Sequence, residues 1–211
     1  MKQKIASIIL ASMLLLGLTT NAIAAQAPDQ VVRDTFDAVV EQIQQNRSVY
    51  EKDNAALYAM LEQHLVPSLN IPFMVDLILG KELATTTPPA QHQELVDEFK
   101  ILLLRTYATG ILHATGDERV VYENVDLKPG AYRTDINLKL LTADGGEFPI
   151  KLKMTTRNGR WSKEDSGLWR AYNLEVAGQN IARLYRSTFA RTLKEKGVEG
   201  LISNLRAKNA A

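Results

Sequence analysis

The residues best suited to acid–base or metal chemistry are few and widely spaced. The chain has three histidines, His64, His92 and His113, and none is paired with a carboxylate or a second histidine at H-E-x-x-H spacing. Cysteine is absent, so thiol catalysis, disulfides and cysteine metal sites are excluded. We therefore predict no metal and no cofactor, and expect each histidine to be a surface residue or a hydrogen-bonded helical residue.

Three acidic residues offer the remaining route to acid–base catalysis. Glu164 and Asp165 are adjacent in a polar segment, and Glu123 is isolated. Neighbouring acids in a polar loop point to different sides, so a solvated loop is the better interpretation. The chain contains no G-x-S-x-G, G-x-G-x-x-G or P-loop motif. The sequence thus predicts a protein that is not an enzyme.

The most distinctive feature of the sequence is its pattern of apolar residues. Residues 134–156, TDINLKLLTADGGEFPIKLKMTT, alternate as two strands joined by a turn at Asp144-Gly145-Gly146. The large apolar side chains share one face, and the other carries Lys139, Lys151 and Lys153. A basic stripe could meet an acidic partner, but exposed lysine is also the default on a half-solvated sheet. The apolar face must be covered, either by helices or by something the protein carries.

Helices dominate the first half of the chain. Apolar residues recur at three- and four-residue steps from Val32 to Ile43 and from Leu57 to Leu65. A short helix is predicted from Asn70 as N-cap to Gly80 past its end, and a long helix from a cap near Thr87 to a stop at Gly116. The apolar stripe of the long helix is wider than one core contact requires.

The second half alternates with period two and then returns to helix. Four strands are predicted, near residues 119–127, 132–143, 146–156 and 168–176, and residues 160–167 are expected to form a loop or a short extra strand. Two helices follow, separated at Gly197. The order predicts an α+β fold, a curved four-stranded antiparallel sheet packed by several helices around an apolar pocket.

The N-terminal residues predict export. Lys2 and Lys4 precede about 14 apolar residues, fewer than the roughly 20 that span a bilayer, and Ala22-Ile23-Ala24 fits a cleavage site. We predict a signal peptide at residues 1–24, a single domain at residues 25–211 and localisation in an envelope compartment such as the periplasm. The balance of 25 basic and 24 acidic residues argues against nucleic-acid binding.

Three segments resemble one known family. Residues 185–205 resemble the ending of the MlaC family of periplasmic phospholipid-binding proteins, also called the toluene-tolerance family, and residues 169–178 resemble its last strand. Residues 66–99 resemble its other signature, and the matching residues there are Pro67, Phe73, Leu79-Gly80, Ala84-Thr85, Gln91 and Phe99. The chain departs from the family pattern at Asn173, where the pattern has Asp, and at residues 177–180.

The resemblance implies a nuclear transport factor two-like domain that encloses an apolar pocket. It implies a monomeric carrier that shuttles phospholipid between an inner-membrane ABC transporter with its MCE-domain ring and an outer-membrane lipoprotein complex, which maintains the lipid asymmetry of the outer membrane. The candidate lipid-binding residues are Phe73, Leu77, Ile78, Leu103, Tyr107, Ile111, Ile136, Leu138, Leu140, Ile150, Leu152, Met154, Tyr172, Leu174, Ile181 and Tyr185.

Two alternatives stay open at the level of sequence. Apolar periodicity does not distinguish a cavity from a filled core, so a periplasmic accessory protein with a filled core would have the same pattern. A small-molecule enzyme on the same fold would need an acid–base set among the inner strand positions, and those positions are almost wholly apolar.

Overall fold

The computed structural model describes residues 26–112, 119–123, 125, 127–142 and 145–210. The predicted signal peptide, His113 and the predicted helix stop at Gly116 lie outside these ranges. Within them the chain forms a layer of helices over one sheet. The helical elements are α1 (Pro28–Tyr50), α2 (Asn54–His64), a 3-10 turn (Val66–Ser68), α3 (Ile71–Thr86), α4 (Pro89–Leu112) and α5 (Ile181–Ala210).

The strands form an open antiparallel sheet in simple sequential order. They are β1 (Arg119–Tyr122), β2 (Arg133–Leu141), β3 (Glu147–Arg157), β4 (Asp165–Val176) and β5 (Gln179–Asn180). The α+β prediction is confirmed, but the predicted number of four strands is corrected to five. The fifth strand has two residues and folds back on β4 through a tight turn at Ala177 and Gly178, both at positive φ.

Two predicted helix boundaries need correction. Gly80 does not end α3, because the helix continues to Thr86 with a local break at Gly80, where φ is 77°. Thr87 is the C-cap of α3 rather than the cap of α4, and its backbone N–H donates to the Leu83 carbonyl. Gly197 likewise interrupts α5 at φ 67°, as the predicted separation of two helices requires.

The register of the sheet sets which side chains face the helices. Ile136 pairs with Leu152, and Leu138 with Ile150, so the apolar face of the predicted hairpin is continuous across β2 and β3. Between β3 and β4 the register shifts after Lys153, whose partner is Asn173, to Met154, whose partner is Ala171. Tyr172 is therefore an extra residue at a β-bulge, which reverses the alternation along β4.

The apolar interior divides into three clusters. One joins α3, α4 and α5 around Phe99 and Leu201, and a second joins α1, α2 and α4 around Ile43 and Leu57. The third lies on the sheet, where Ile136 packs with neighbours that include Val31 and Val32 of α1. Because α4 contributes to two clusters, its wide apolar stripe is explained. No helix in the described part of the chain has the length and hydropathy needed to cross a bilayer.

A buried carboxylate joins α3, α4 and the β3–β4 loop. Asp76 is 7% exposed, and its Oδ1 atom lies 3.0 Å from Nε2 of His92. Its Oδ2 atom accepts a 2.9 Å hydrogen bond from the backbone N–H of Arg160. The loop approaches so closely that a Cβ atom on Gly159 would lie 3.1 Å from Oδ2. His92 is thus a hydrogen-bonded helical residue, as predicted.

We expect the Asp76→Ala variant to be destabilised by about 1–3 kcal/mol, because the Arg160 N–H and the His92 ring both lose their acceptor in a largely buried site. The measurement is the free energy of unfolding from urea titration. Glu82→Ala, on an exposed position of the same helix, is the matched control and should change stability by no more than about 0.5 kcal/mol. Equal stabilities of the two variants would contradict the proposal that Asp76 stabilises the contact between α3, α4 and the β3–β4 loop.

Candidate functional site

Two apolar cavities lie between the sheet and the helices. The larger has a volume of about 280 Å³ and the smaller about 220 Å³. Each is far larger than one water molecule, which needs roughly 10–15 Å³ by the same kind of measure. The protein's own side chains therefore leave part of the interior unfilled.

The larger cavity lies beneath α3, α4 and the start of α5. α4 contributes the longest wall, because residues three and four positions apart along it face the same way. The end of β4 closes the opposite side. The lining residues are Leu61, Leu65, Leu69, Met74, Ile78, Phe99, Leu103, Leu104, Tyr107, Ala108, Ile111, Leu152, Ala171, Asn173, Leu174, Ile181 and Ala182.

The smaller cavity lies between α1 and the first three strands. Arg33 packs on one of its lining residues, since its Cζ atom lies 3.6 Å from the ring centroid of Tyr122. The lining residues are Val31, Val32, Thr35, Phe36, Leu65, Ser68, Leu69, Val120, Tyr122, Leu138, Leu140, Ile150, Leu152, Met154 and Ala171.

The two cavities share one wall. Leu65 and Leu69 flank the 3-10 turn, and Leu152 and Ala171 lie below them on neighbouring strands; all four residues line both cavities. Leu65, Leu69 and Leu152 are only partly buried. We call the two spaces together the paired cavities.

Most of the predicted site residues lie in these walls. The larger cavity brings together residues from the helices and the end of the sheet, namely Ile78, Leu103, Tyr107, Ile111, Leu152, Leu174 and Ile181. The smaller cavity brings together the inner hairpin face, namely Leu138, Leu140, Ile150, Leu152 and Met154.

Five predicted residues line neither cavity. Ile136 is fully buried in the cluster on the sheet, and Tyr185 packs 5.0 Å from Phe99, centroid to centroid, among the helices. Phe73 stacks on Tyr172 at 4.3 Å, because the β-bulge places Tyr172 beside the N-terminus of α3. Leu77 follows on the same helix outside both linings.

Sequence reasoning missed the contribution of α1. Val31, Val32 and Phe36 form a wall of the smaller cavity, and Leu65 and Leu69 form the shared wall. The helical spacing of Val32 and Phe36 was visible in the sequence, but the same spacing fits a filled core. The signal thus identified the buried face of α1 without saying what it faces.

Only two polar side chains line the larger cavity. Tyr107 is 36% exposed. The pKa of its hydroxyl is raised well above the ordinary value, mainly by partial burial and secondly by a hydrogen bond with the Tyr185 hydroxyl. The hydroxyl therefore stays protonated and can donate. Asn173 is buried, and its Oδ1 atom accepts hydrogen bonds from the backbone N–H groups of Leu174 at 3.0 Å and Ala182 at 3.2 Å. Asn173 thus helps to cap α5 from the sheet.

The candidate acid–base and charged residues lie elsewhere. Glu164 and Asp165 are exposed at the β3–β4 loop. The lysine stripe is largely neutralised, since Lys139 lies 3.6 Å from Glu147 and Lys153 lies 3.1 Å from Asp135. In the described ranges no three His, Asp or Glu side chains converge as a potential metal site.

Comparison with known proteins connects this geometry to a family. The sequence profile of the MlaC protein family matches residues 33–207. The chain is 23% identical to the toluene tolerance protein ttg2D of Pseudomonas putida, over 87% of this chain and 81% of that protein. It is 22% identical to the intermembrane phospholipid transport system binding protein MlaC of Haemophilus influenzae, over 89% and 85% of the two chains.

A solved structure shows the same fold. It is a phospholipid-binding protein from Ralstonia solanacearum in complex with a phospholipid, which superposes with a TM-score of 0.75 at 20% identity over 88% of this chain and 98% of that one. Since the family profile spans most of the sequence and the fold agrees along nearly the whole of the solved chain, this protein belongs to the MlaC family.

Proposed function

We propose that this protein is a periplasmic phospholipid carrier that holds the acyl tails of its cargo in the paired cavities. The observation that carries the proposal is the apolar lining, which runs from α1 to α5 across the inner face of the sheet with few polar side chains. The names of its relatives support this assignment, since one belongs to an intermembrane phospholipid transport system. The proposed carrier acts by binding and release and catalyses no reaction.

The energetics explain why such a carrier is needed. A diacyl phospholipid has about 30 methylene groups, and exposing them to water costs on the order of 20 kcal/mol or more. Unaided diffusion across an aqueous compartment is therefore negligible. A carrier whose cavity is as apolar as a membrane makes the transfer nearly neutral, so the remaining barrier lies in the steps of uptake and release.

The shape of the site suits a lipid with two tails. The cavities share a wall formed by Leu65, Leu69, Leu152 and Ala171, so two chains from one glycerol could enter neighbouring spaces. Tyr107 is the most exposed side chain of the larger lining, and its hydroxyl is one of the few polar groups there. We place the polar head group beside Tyr107, in contact with water.

The proposal includes export and docking. Residues 1–24 direct the chain to the periplasm, and residues 25–211 act as one monomeric lipid-binding domain. Because tails must not cross water, the donor and acceptor must dock against the carrier. We propose as partners an inner-membrane ABC transporter with its MCE-domain ring and an outer-membrane lipoprotein complex, on the basis of the family resemblance.

We expect the protein to retain phospholipid when it is purified without detergent, because an open apolar cavity is costly in water and cells supply excess lipid. The measurement is lipid phosphorus per protein chain, with identification of the extracted lipids by mass spectrometry. Near-stoichiometric phosphorus is the expected result. Its absence, together with failure to take up labelled phospholipid from vesicles, would favour the accessory protein-binding alternative.

We expect Leu152→Trp to abolish lipid retention while leaving the thermal midpoint close to that of the wild type. The larger side chain would enter unfilled space on the shared wall, whereas in a filled core overpacking costs about 1–3 kcal/mol. The two measurements are lipid phosphorus and the thermal midpoint of the same preparation.

Leu168→Trp is the matched control for this experiment. Leu168 lies on β4, is 65% exposed and lines neither cavity, so the same change in side chain should leave lipid content unaltered. If Leu152→Trp unfolds the protein, or retains as much lipid as Leu168→Trp, the shared wall is not the cargo site.

A further inference from the structure

Cations and aromatic rings cluster where β3 and β4 turn, outside both cavities. The Cζ atom of Arg157 lies 3.7 Å from the ring centroid of Tyr132, and that of Arg133 lies 5.4 Å from the same centroid. Arg133 also lies 5.2 Å from the ring of Phe73. Two guanidinium groups thus share one ring that is itself 38% exposed.

A second group of the same kind lies on the adjoining loop. Trp161 is 41% exposed, and its ring centroid lies 4.9 Å from Cζ of Arg160 and 5.9 Å from Nζ of Lys81. Leu168, on the neighbouring strand β4, is the most exposed of the large hydrophobic residues that the structure describes. We define the hairpin-end surface as Lys81, Tyr132, Arg133, Arg157, Arg160 and Trp161.

The cations of this surface outnumber the acids beside them. Other surface cations form ion pairs, for example Arg206 with Glu98 at 3.0 Å. In the described part of the chain, none of the four cations of the hairpin-end surface lies within 4.0 Å of a carboxylate oxygen. The segment from Arg157 to Asp165, RNGRWSKED, has three cations and two acids, and Asp165 is the cross-strand partner of Arg157. With Lys81 and Arg133 this end of the molecule has five cations against two exposed acids, so it is a local positive patch on a nearly neutral protein.

The patch is held rigidly. The backbone N–H of Arg160 is bound by the buried carboxylate of Asp76, which is bound in turn to His92 of α4. Arg170 adds a 2.7 Å hydrogen bond from its guanidinium to Oδ1 of Asn158 at the start of the loop. Trp161 is thus presented outward by a loop anchored on both sides, and it is not needed to complete the core.

We propose that the hairpin-end surface docks onto the headgroup layer of an anionic phospholipid bilayer. Arginine and lysine are complementary to lipid phosphates, and tryptophan and tyrosine favour the headgroup region, where one end of the ring is wet and the other apolar. None of these residues lines either cavity. A fluid layer of negative charges matches an exposed patch of this composition.

This inference goes beyond cargo binding, because none of the six residues lines either cavity. Docking through the hairpin end would bring the carrier to a membrane while the cavity walls formed by α1, β2 and the β4–α5 junction stay clear of it. The bilayer contact and the cargo site can therefore be altered separately.

The test uses the full mature protein and two sets of vesicles, phosphatidylcholine alone and phosphatidylcholine mixed with phosphatidylglycerol. We expect flotation with the anionic vesicles only, and a decrease with added salt. We also expect a blue shift of tryptophan fluorescence that is lost in Trp161→Phe, because Trp169 is buried and does not report on the surface.

The decisive comparison is between two charge reversals of equal size. Arg157→Glu with Arg160→Glu should weaken binding to anionic vesicles at least about tenfold. Arg183→Glu with Lys194→Glu, on exposed positions of α5, should have a much smaller effect. Replacement of Arg157 and Arg160 by Gln is the milder second variant should the reversal fail to fold. Lipid phosphorus should be unchanged in all of these variants.

Three outcomes would overturn the inference. One is failure of the wild type to bind anionic vesicles. That result would favour an acidic protein surface as the binding partner of the hairpin-end surface. The second is equal loss of binding in the two double reversals, and the third is a blue shift that persists in Trp161→Phe. None of them bears on the proposed cargo site, which is judged by the phosphorus content of the wild type and of Leu152→Trp.

Discussion

The distance between the helices and the sheet is set by directed hydrogen bonds from buried polar side chains. Asn70 is fully buried; its Nδ2 atom donates to the Arg157 carbonyl at 2.6 Å and its Oδ1 atom accepts from the N–H of Phe73 at 3.1 Å. Asp76 and Asn173 fix α3 and α5 in the same way at other points. Apolar packing is non-directional and would favour collapse, whereas these bonds hold the layers apart. The paired cavities lie between the layers that these bonds connect.

Neighbouring residues of one element can differ in role, with one packed in the core and the next lining a cavity. Ile136 is buried in the cluster on the sheet, while Leu138, two residues further along the same face, lines the smaller cavity. On α4, Leu102 packs between helices and Leu103 faces the larger cavity. One apolar surface therefore contributes both to the packed clusters and to the cavity linings.

Much of this could be predicted from the sequence, because periodicity reports which face of an element is buried. It located the inner hairpin face and the wide stripe of α4, and the motif residues indicated the family. It did not place Tyr172 correctly, because alternation along β4 changes at the bulge beside Lys153, a feature that depends on pairing with another strand. Nor did it place Gly80 within α3, because a glycine at positive φ can end a helix or only break it.

Unfilled interior space also makes the volume change on unfolding depend on whether the cavities are occupied. When a chain with internal voids unfolds, water fills the voids and the total volume of the system falls, so hydrostatic pressure favours the unfolded state. The paired cavities therefore make the empty protein more sensitive to unfolding by pressure. Acyl chains in the paired cavities, as we propose, would remove the voids without adding a covalent bond. Resistance to pressure is then a property that the cargo confers on the carrier, and it is lost each time the cargo is delivered.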